Sequence, residues 1–142
     1  MEIRMKIKGL VIDPISKMPI VVLEDTEQER MLPIWIGVFE ANAISLKLEN
    51  ITTPRPMTHD LVKNLLNNLD THIEKIVVND IKDNTFYARI YCTDGEKTFD
   101  MDARPSDAIA IALRFAAPIY LDDKAVRQSK KGEGPSEVFD ES

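Results

Sequence analysis

The sequence has a single cysteine, no long apolar run and no block of basic residues, and each absence removes a class of protein. Cys92 has no second cysteine to join, so the chain alone forms neither a disulfide nor a zinc site built from cysteines. No run of about eighteen apolar residues is present to span a bilayer. Charges within residues 1–14 also interrupt the apolar region that a signal peptide requires. We therefore expect a cytoplasmic protein that makes no membrane contact.

The charge balance narrows the choice of partners. The formal net charge is −6 at pH 7, and the sequence contains no run of five or six basic residues. Binding to the phosphate backbone of a nucleic acid depends on Lys and Arg clustered on one surface. The composition therefore argues against a protein that coats DNA or RNA without sequence preference, and it leaves enzymes and interaction modules open.

The familiar catalytic motifs are missing as well. The sequence contains no GxGxxG, P-loop, HExxH, GxSxG or paired CxxC. His72, one of two histidines, opens a predicted strand and has no acidic pattern around it that would indicate a metal site. No single motif therefore identifies a reaction.

The pattern of apolar residues predicts one α+β domain with a mostly antiparallel sheet. The length of 142 residues and the hydrophobic content of 44% suit a single core. Gly9 predicts a bulge in the first strand, and Pro33 predicts an edge position for the third. The predicted strands cover 2–12, 20–25, 30–37, 73–81, 85–92, 97–103 and 119–121, and the predicted helices cover 38–49, 58–70 and 107–117. We expect the domain to occupy 1–129 and a polar, flexible tail to occupy 130–142.

Helix phase gives each polar side chain of the first predicted helix a direction, because successive residues are rotated by about 100°. Asn42, Ser45 and Glu49 share the predicted solvent side. Glu40 and Lys47 share the opposite side, among apolar neighbours that include Phe39. A carboxylate at position 40 must then be paired, hydrogen-bonded or protonated. The Lys47 side chain is long enough to reach solvent.

The third predicted helix is the most apolar, since Asp107 and Arg114 are the polar residues of DAIAIALRFAA. We expect it to be central and buried. Its two polar residues are seven positions apart, so they share one stripe and are separated by about 10 Å along the axis. A buried Arg114 needs an acceptor. The predicted acceptor is Glu40, which faces inward from the first helix.

Two similar segments, RPMTHD at 55–60 and RPSD at 104–107, precede the second and third helices. Thr58 and Ser106 are residue types that cap helix N-termini, and an acidic residue follows each of them within the first turn. The proline in each segment fixes the direction from which the chain enters the helix. These features explain both segments as helix starts without any catalytic role.

The side chains within these segments differ in direction. His59 lies on the apolar face of its helix, whereas Asp60 lies with the polar residues that face solvent. The helix phase thus places a histidine toward the core in one segment and Asp107 on a polar stripe in the other. Arg55 and Arg104 are not explained by capping, and an extended Arg before Pro can reach either a phosphate or a structural carboxylate.

Four segments, taken together, resemble one known family. They are LPIWIGVFEANAI at 32–44, RPMTHDLVKNLL at 55–66, KDNTFYARI at 82–90 and RPSDAIAIALRFAAPIY at 104–120. Their order and separations are similar to those of the bifunctional nuclease domain family, and the resemblance covers about 5–122. It implies an α+β fold of the family's own type, self-association, and activity on both RNA and DNA, as some members show. Some plant members carry an extra C-terminal interaction motif, and we do not expect the regulatory role attached to that motif in this chain.

The resemblance leads to a first hypothesis, a metal-assisted nuclease that acts on RNA or DNA. Glu40 and Asp107 would hold a divalent cation, Mg²⁺ or Mn²⁺. Arg55 or Arg104 would stabilise the charge that develops on the phosphate. His59 would transfer a proton. The candidate catalytic residues are those at the family's motif positions: Glu40, Arg55, His59, Asp60, Arg104 and Asp107.

The second hypothesis is an interaction module without catalytic activity, which assembles into a homo-oligomer with a dimer as its expected form. In this interpretation the polar residues of the helices form one buried ion-pair network that fixes helix packing. The members of that network would be Glu40, Arg104, Asp107 and Arg114. Helix phase favours this second hypothesis, whereas the family resemblance favours the first.

Overall fold

Within the described residues, a seven-stranded sheet and three eleven-residue helices form one α+β domain, as the sequence predicts, and residues 123–125 are also helical. The structure is a computed structural model, and it describes residues 1–27 and 30–125. The predicted tail at 130–142 lies outside the described residues. The elements are β1 (Glu2–Ile12), β2 (Pro19–Asp25), β3 (Met31–Trp35), α1 (Val38–Leu48), α2 (Thr58–Asn68), β4 (His72–Lys82), β5 (Thr85–Thr93), β6 (Thr98–Ala103), α3 (Pro105–Phe115) and β7 (Ile119–Asp122).

The sheet consists of two local meanders joined by its last strand. Its strand order is β3-β2-β1-β7-β4-β5-β6. Consecutive strands within each meander pair antiparallel, and β7 pairs antiparallel with β1 and parallel with β4. The short β7 follows α3 along the chain. The connection through α3 therefore returns the chain to the centre of the sheet, between β1 and β4. The prediction of a mostly antiparallel sheet is confirmed.

Single residues fix the irregular positions of the sheet. The pairing register between β1 and β2 shifts between Ile7 and Gly9, which is the predicted bulge. Pro33 lies in β3 at one edge of the sheet, where a strand pairs on one side only and the missing N–H is tolerated. Gly95 has φ of 98° in the turn between β5 and β6, a left-handed conformation that suits glycine.

The three helices form a layer in which α3 is the central member. Eight residues of α3 are buried, from Pro105 to Arg114, because the helix packs on β4 and β5 while α1 and α2 pack on it. The predicted central, buried helix is therefore confirmed. Within 1–27 and 30–125, no helix is long and apolar enough to cross a membrane.

The helix starts differ from the prediction that Thr58 and Ser106 are N-caps. Met57 occupies the N-cap of α2, and Arg104 occupies the N-cap of α3. Proline suits the first helical position of α3 because its missing N–H has no intrahelical acceptor there. In α2, the Asp60 carboxylate accepts a hydrogen bond from the Met57 N–H at 2.9 Å. The predicted caps are wrong, and both hydroxyl residues lie inside the first turn.

The apolar face of α2 is only partly covered. Val62 and Leu66 pack against the core, but Leu61, Leu65 and Leu69 are 61%, 56% and 62% exposed. A helix that packs on one other helix buries a narrower stripe than a helix that lies on a sheet. Three leucines at a spacing of four residues are therefore left on the surface of the molecule.

Candidate active site

The polar stripe of α3 meets the first turn of α2, and the contact creates two separate clusters. Nε2 of His59 lies 2.9 Å from Oδ1 of Asp107. Nε of Arg114 donates to Oδ1 of Asp60 at 2.6 Å. Two neighbouring residues of α2 thus contact two residues of α3 that lie seven positions apart.

The first cluster, called the groove cluster here, contains Glu40, His59, Arg104 and Asp107. Nε of Arg104 donates to Oδ2 of Asp107 at 2.9 Å, and its Nη2 lies 3.5 Å from Oε2 of Glu40. The side chain of His59 is 13% exposed, whereas that of Arg104 is 66% exposed. The cluster therefore extends from a shielded imidazole to a guanidinium in contact with solvent.

These four side chains line a groove of about 620 Å³ between α1, α2 and α3. That volume is in the range of sites that bind small organic molecules. Apolar side chains complete its walls, and they include Phe39, Met57, Val62 and Ile111. Phe39 is 86% exposed at the rim, so the prediction that it flanks the covered side of α1 is wrong. The groove therefore combines ionisable groups with apolar surface.

Asp107 fixes the orientation of the His59 ring. Burial tends to raise the pKa of Asp107, but the hydrogen bonds from His59 and Arg104 outweigh it and hold that pKa below its usual value. The pKa of Arg104 is raised, chiefly by its hydrogen bond to Asp107. Asp107 is thus a carboxylate at neutral pH and accepts the Nε2–H of the ring. Nδ1 of His59 has no hydrogen-bond partner in the described part of the chain, so it is the atom left for a ligand.

Gly37 leaves space for the Glu40 side chain. A Cβ at position 37 would overlap Oε1 of Glu40, so the carboxylate folds back over the first turn of α1. The Glu40 side chain is 20% exposed and pairs with Arg104. Glu40 therefore points inward as predicted, and its carboxylate lines the groove.

The second cluster, called the buried cluster here, surrounds Arg114. Its side chain is 4% exposed, and beyond Asp60 the guanidinium donates to the carbonyl oxygens of Ala110 at 2.9 Å and Ala43 at 3.2 Å. The prediction that Glu40 accepts from Arg114 is wrong. Arg114 lies about 10 Å along the axis from Asp107, and the first turn of α2 supplies a nearer carboxylate there.

Asp60 belongs to this buried cluster and not to the groove. Burial tends to raise its pKa, but hydrogen bonds from the Met57 N–H and from Arg114 outweigh burial and lower it. Its side chain is 34% exposed, so the prediction that it faces solvent is only partly right. Since both carboxylate oxygens accept hydrogen bonds within the protein, Asp60 is a structural residue.

The remaining site prediction, Arg55, is not part of either cluster. Its side chain is exposed, and it forms no ion pair with any residue of 1–27 or 30–125. No carboxylate of the described residues pairs with it, and its contact with a phosphate stays a prediction. Sequence reasoning also missed Gly37, which leaves space for the Glu40 side chain. The signal that could have found it was position, because it directly precedes α1 in the segment that carries the resemblance.

The groove cluster does not fit a metal as its side chains are placed. Among the described residues, no group of three or more His, Cys, Asp or Glu side chains is arranged to hold a metal ion. Glu40 and Asp107 lie against the same Arg104 guanidinium, so they share a cation only if Arg104 moves away. The expected Mg²⁺ or Mn²⁺ stays a prediction.

Comparison with known proteins places this arrangement in a family. The family model for the bifunctional nuclease domain matches residues 21–133. An uncharacterized protein of Mycobacterium tuberculosis is 35% identical over 124 residues, which cover 87% of this chain and 74% of the relative. Bifunctional nuclease 1 of Oryza sativa subsp. indica is 28% identical over 105 residues, and Bifunctional nuclease 2 of Arabidopsis thaliana is 27% identical over 94 residues.

The matched region covers 72% of this chain against the rice protein and 64% against the Arabidopsis protein, but only 32% and 29% of those two relatives. The chain thus corresponds to about a third of each plant relative. The family model nevertheless extends from β2 past β7, and so it includes both α2 and α3 with the two clusters they form. The chain belongs to the bifunctional nuclease domain family.

Proposed function

We propose that the groove cluster hydrolyses phosphodiester bonds in RNA or DNA. The observation that carries the proposal is the His59–Asp107 pair, which lies in the groove beside the exposed Arg104. A histidine oriented by a carboxylate is an arrangement suited to proton transfer at neutral pH. An arginine beside it can bind a phosphate through a planar set of donors.

In the proposed reaction, Nδ1 of His59 takes a proton from a water molecule as the water oxygen forms a bond to phosphorus. The bond from phosphorus to the leaving oxygen breaks, and that oxygen takes up a proton from the imidazolium. Asp107 stabilises the imidazolium while it carries the charge. Nη1 of Arg104 donates no hydrogen bond to a described residue, so it is free to bind a nonbridging phosphate oxygen.

Glu40 is a positioning residue in this proposal because it contacts the guanidinium of Arg104. The cation expected from the sequence would compete with Arg104 for the same carboxylates. Assays in Mg²⁺, in Mn²⁺ and in EDTA distinguish the two arrangements. Activity that persists in EDTA supports the arrangement in which Arg104 lies between the two carboxylates. Strict dependence on a divalent cation supports an arrangement in which the cation displaces Arg104 from them.

The names of the plant relatives support a nuclease, and the charge of this chain limits how it binds. Since the net charge is −6, a long track of phosphate contacts is not expected. The groove cluster offers one exposed cation, Arg104, at the site of the proposed reaction. The proposed substrate contact is therefore local and involves about one phosphate.

Replacement of the proposed general base tests the proposal directly. His59→Gln keeps a polar side chain of similar length, but it cannot accept a proton at neutral pH. We expect the rate of hydrolysis of single-stranded RNA and DNA to fall about 100- to 10,000-fold, the usual contribution of a general base. The measurement is the initial rate with a fluorescently labelled oligonucleotide, in protein whose melting temperature has been checked.

His72→Gln is the matched control, since His72 is exposed at the start of β4 and does not line the groove. It should keep the full rate. If His59→Gln retains wild-type activity while it stays folded, or if both variants lose activity equally, the proposed role of His59 is wrong. A wild-type protein with no hydrolysis under any cation condition would overturn the proposed function itself.

A second candidate function, that of a self-associating module, is favoured by the exposed stripe of Leu61, Leu65 and Leu69 on α2. Contiguous exposed apolar surface commonly marks an interaction site, and a twofold dimer is the simplest homo-oligomer. We expect a dimer by light scattering. Leu65→Lys should shift it toward monomer, whereas Lys63→Glu on the same helix should not. A wild-type monomer at high concentration would contradict this candidate.

A further inference from the structure

A second pocket lies on the other side of Arg104 from the groove. Its volume is about 350 Å³, and it lies where β3, the turn between β4 and β5, and the start of α3 come together. We call it the Trp35 pocket. The side chains that matter here are Met18, Trp35, Asn84, Phe86 and Arg104. Three of the four segments that resemble the family therefore meet at this pocket.

The aromatic ring at the wall of the pocket is held in place. Trp35 is partly buried, and its Nε1–H donates to Oδ2 of Asp13 at 3.1 Å. Asp13 itself is fixed by the hydroxyl of Ser16 at 2.7 Å and by the N–H of Ile15 at 3.1 Å. A turn at one end of β1 thus sets the orientation of the indole. A fixed aromatic surface loses little entropy when a flat ligand stacks on it.

Arg104 connects the two pockets, since it lines both the Trp35 pocket and the groove that contains His59. Its Nε and Nη2 bind the carboxylates of Asp107 and Glu40. A ligand anion that binds the remaining Nη1 donors is then held by a side chain that borders both the groove with the proposed general base and the Trp35 pocket. A group attached to that anion has the Trp35 pocket available to it.

We propose that the Trp35 pocket binds a nucleobase whose adjoining phosphate lies on Arg104. This inference rests on the proposed function, and it adds that the substrate is single-stranded, because a base must be unpaired to enter a pocket. Trp35 and Phe86 supply aromatic and apolar surface for the flat face of the base. The exposed Asn84 amide, which forms no hydrogen bond with the described residues, supplies a donor and an acceptor for the base edge.

This arrangement explains how a chain with a net negative charge could bind a nucleic acid, which is also negatively charged. Stacking of a base on an aromatic side chain contributes to binding without any basic surface. An acidic protein with one exposed cation at its site can therefore hold a nucleic acid by one phosphate and one base. The affinity should then depend only weakly on salt, with a slope of about −0.7 in log K against log salt for a single contact.

The fluorescence of Trp35 reports directly on the pocket, because the chain has one tryptophan. The titration uses the His59→Gln protein, so that hydrolysis does not consume the probe. The probe is the thymidine tetranucleotide, and the controls are an abasic tetranucleotide of the same length and inorganic phosphate. We expect the thymidine probe to quench Trp35 with saturation, and we expect neither control to do so.

Affinity measured by anisotropy with a labelled thymidine tetranucleotide provides the second test. Trp35→Leu should weaken binding about 5- to 150-fold, the range for loss of one stacked base. Trp35→Phe should restore most of the affinity, since a ring is present again. Phe99→Leu is the matched control, because Phe99 is 47% exposed on β6 and lines neither pocket. It should leave the affinity unchanged.

Several results would overturn the nucleobase site. They are equal quenching by the abasic probe, binding of the thymidine probe with no change in Trp35 fluorescence, no binding of the probe at all, and unchanged affinity in a folded Trp35→Leu protein. Failure of this inference can be told apart from failure of the proposed function. If the wild type hydrolyses the substrate but the probe does not quench Trp35, only the nucleobase site is overturned. If the probe quenches Trp35 but the wild type does not hydrolyse the substrate, only the proposed catalytic function is overturned.

Discussion

Arg104, the N-cap of α3, and Arg114, in the last turn of α3, lie at opposite ends of the same helix, yet their surroundings differ in almost every respect. Arg104 is 66% exposed and binds two carboxylates of the groove cluster. Arg114 is 4% exposed and binds one carboxylate and two backbone carbonyls. Arg104 connects α3 to α1 through Glu40, and Arg114 connects α3 to α2 through Asp60. Only Arg104 keeps donors in reach of a ligand.

The difference separates a contact that stabilises the fold from the contacts of the proposed site. A buried guanidinium needs a carboxylate or carbonyl acceptor for its donors, because an unpaired charge in the interior is costly. When an exposed guanidinium loses its partner, the protein loses little stability. Asp60 and Arg114 therefore hold α2 against α3. Because His59 is next to Asp60 on α2, this contact also brings the His59 ring to Asp107.

The largest expected effect comes from exchanging each arginine for leucine. Arg114→Leu leaves the Asp60 carboxylate and the Ala43 carbonyl without their buried donor. We expect a loss of about 3 kcal/mol in the free energy of unfolding. Arg104→Leu should cost less than about 1 kcal/mol, since the Arg104 side chain is 66% exposed and its ion pairs are screened by solvent. Urea denaturation followed by far-UV circular dichroism measures both values.

The same pair of variants should give the opposite order in function. Arg104→Leu is expected to abolish quenching of Trp35 by the thymidine tetranucleotide, whereas Arg114→Leu should retain it at temperatures where the protein is folded. Equal losses of stability in both variants would contradict the division into a groove cluster and a buried cluster. So would loss of probe binding in the folded Arg114→Leu protein.

The sequence predicts α3 better than it predicts the partners of α3. Its apolar pattern is nearly uninterrupted, so a central position and a single polar stripe follow from periodicity alone. Periodicity gives the direction of a side chain around its own helix axis, but it does not give the distance between two helices. The choice of Glu40 in place of Asp60 as the acceptor for Arg114 failed for that reason.

The same limit explains the exposed leucines of α2. Leu61, Leu65 and Leu69 fit an amphipathic pattern as well as Val62 and Leu66 do, and the pattern does not say how wide the covering surface is. Sequence also placed Glu40, His59, Arg104 and Asp107 in a list with Arg55 and Asp60. The relative placement of the three helices separates the four residues of the groove cluster from Asp60, which joins the buried cluster, and from Arg55, which joins neither.

The smallest expected effect concerns the dependence of stability on pH. The pKa of Asp60 is lowered in the folded protein, so its charge adds stability above the usual Asp range. That contribution is lost as pH falls through the lowered pKa. Asp60→Asn should therefore reduce the free energy of unfolding at pH 7 by about 1 kcal/mol, because Asp60 is partly exposed and the amide Oδ1 of Asn can still accept from Arg114. The difference from wild type should shrink below about pH 4.

Asp107→Asn provides the comparison, because the pKa of Asp107 is also lowered but its arginine partner is two-thirds exposed. Its effect on stability should have the same sign and a smaller size than that of Asp60→Asn. Its effect on hydrolysis should be the larger of the two, since Asp107 orients His59. Denaturation curves at pH 3, 4, 5 and 7, together with rates at pH 7, measure both quantities. If Asp60→Asn reduced hydrolysis as strongly as Asp107→Asn while the protein stayed folded, the line between the two clusters would be in the wrong place, and Asp60 would belong with the residues that act on the substrate.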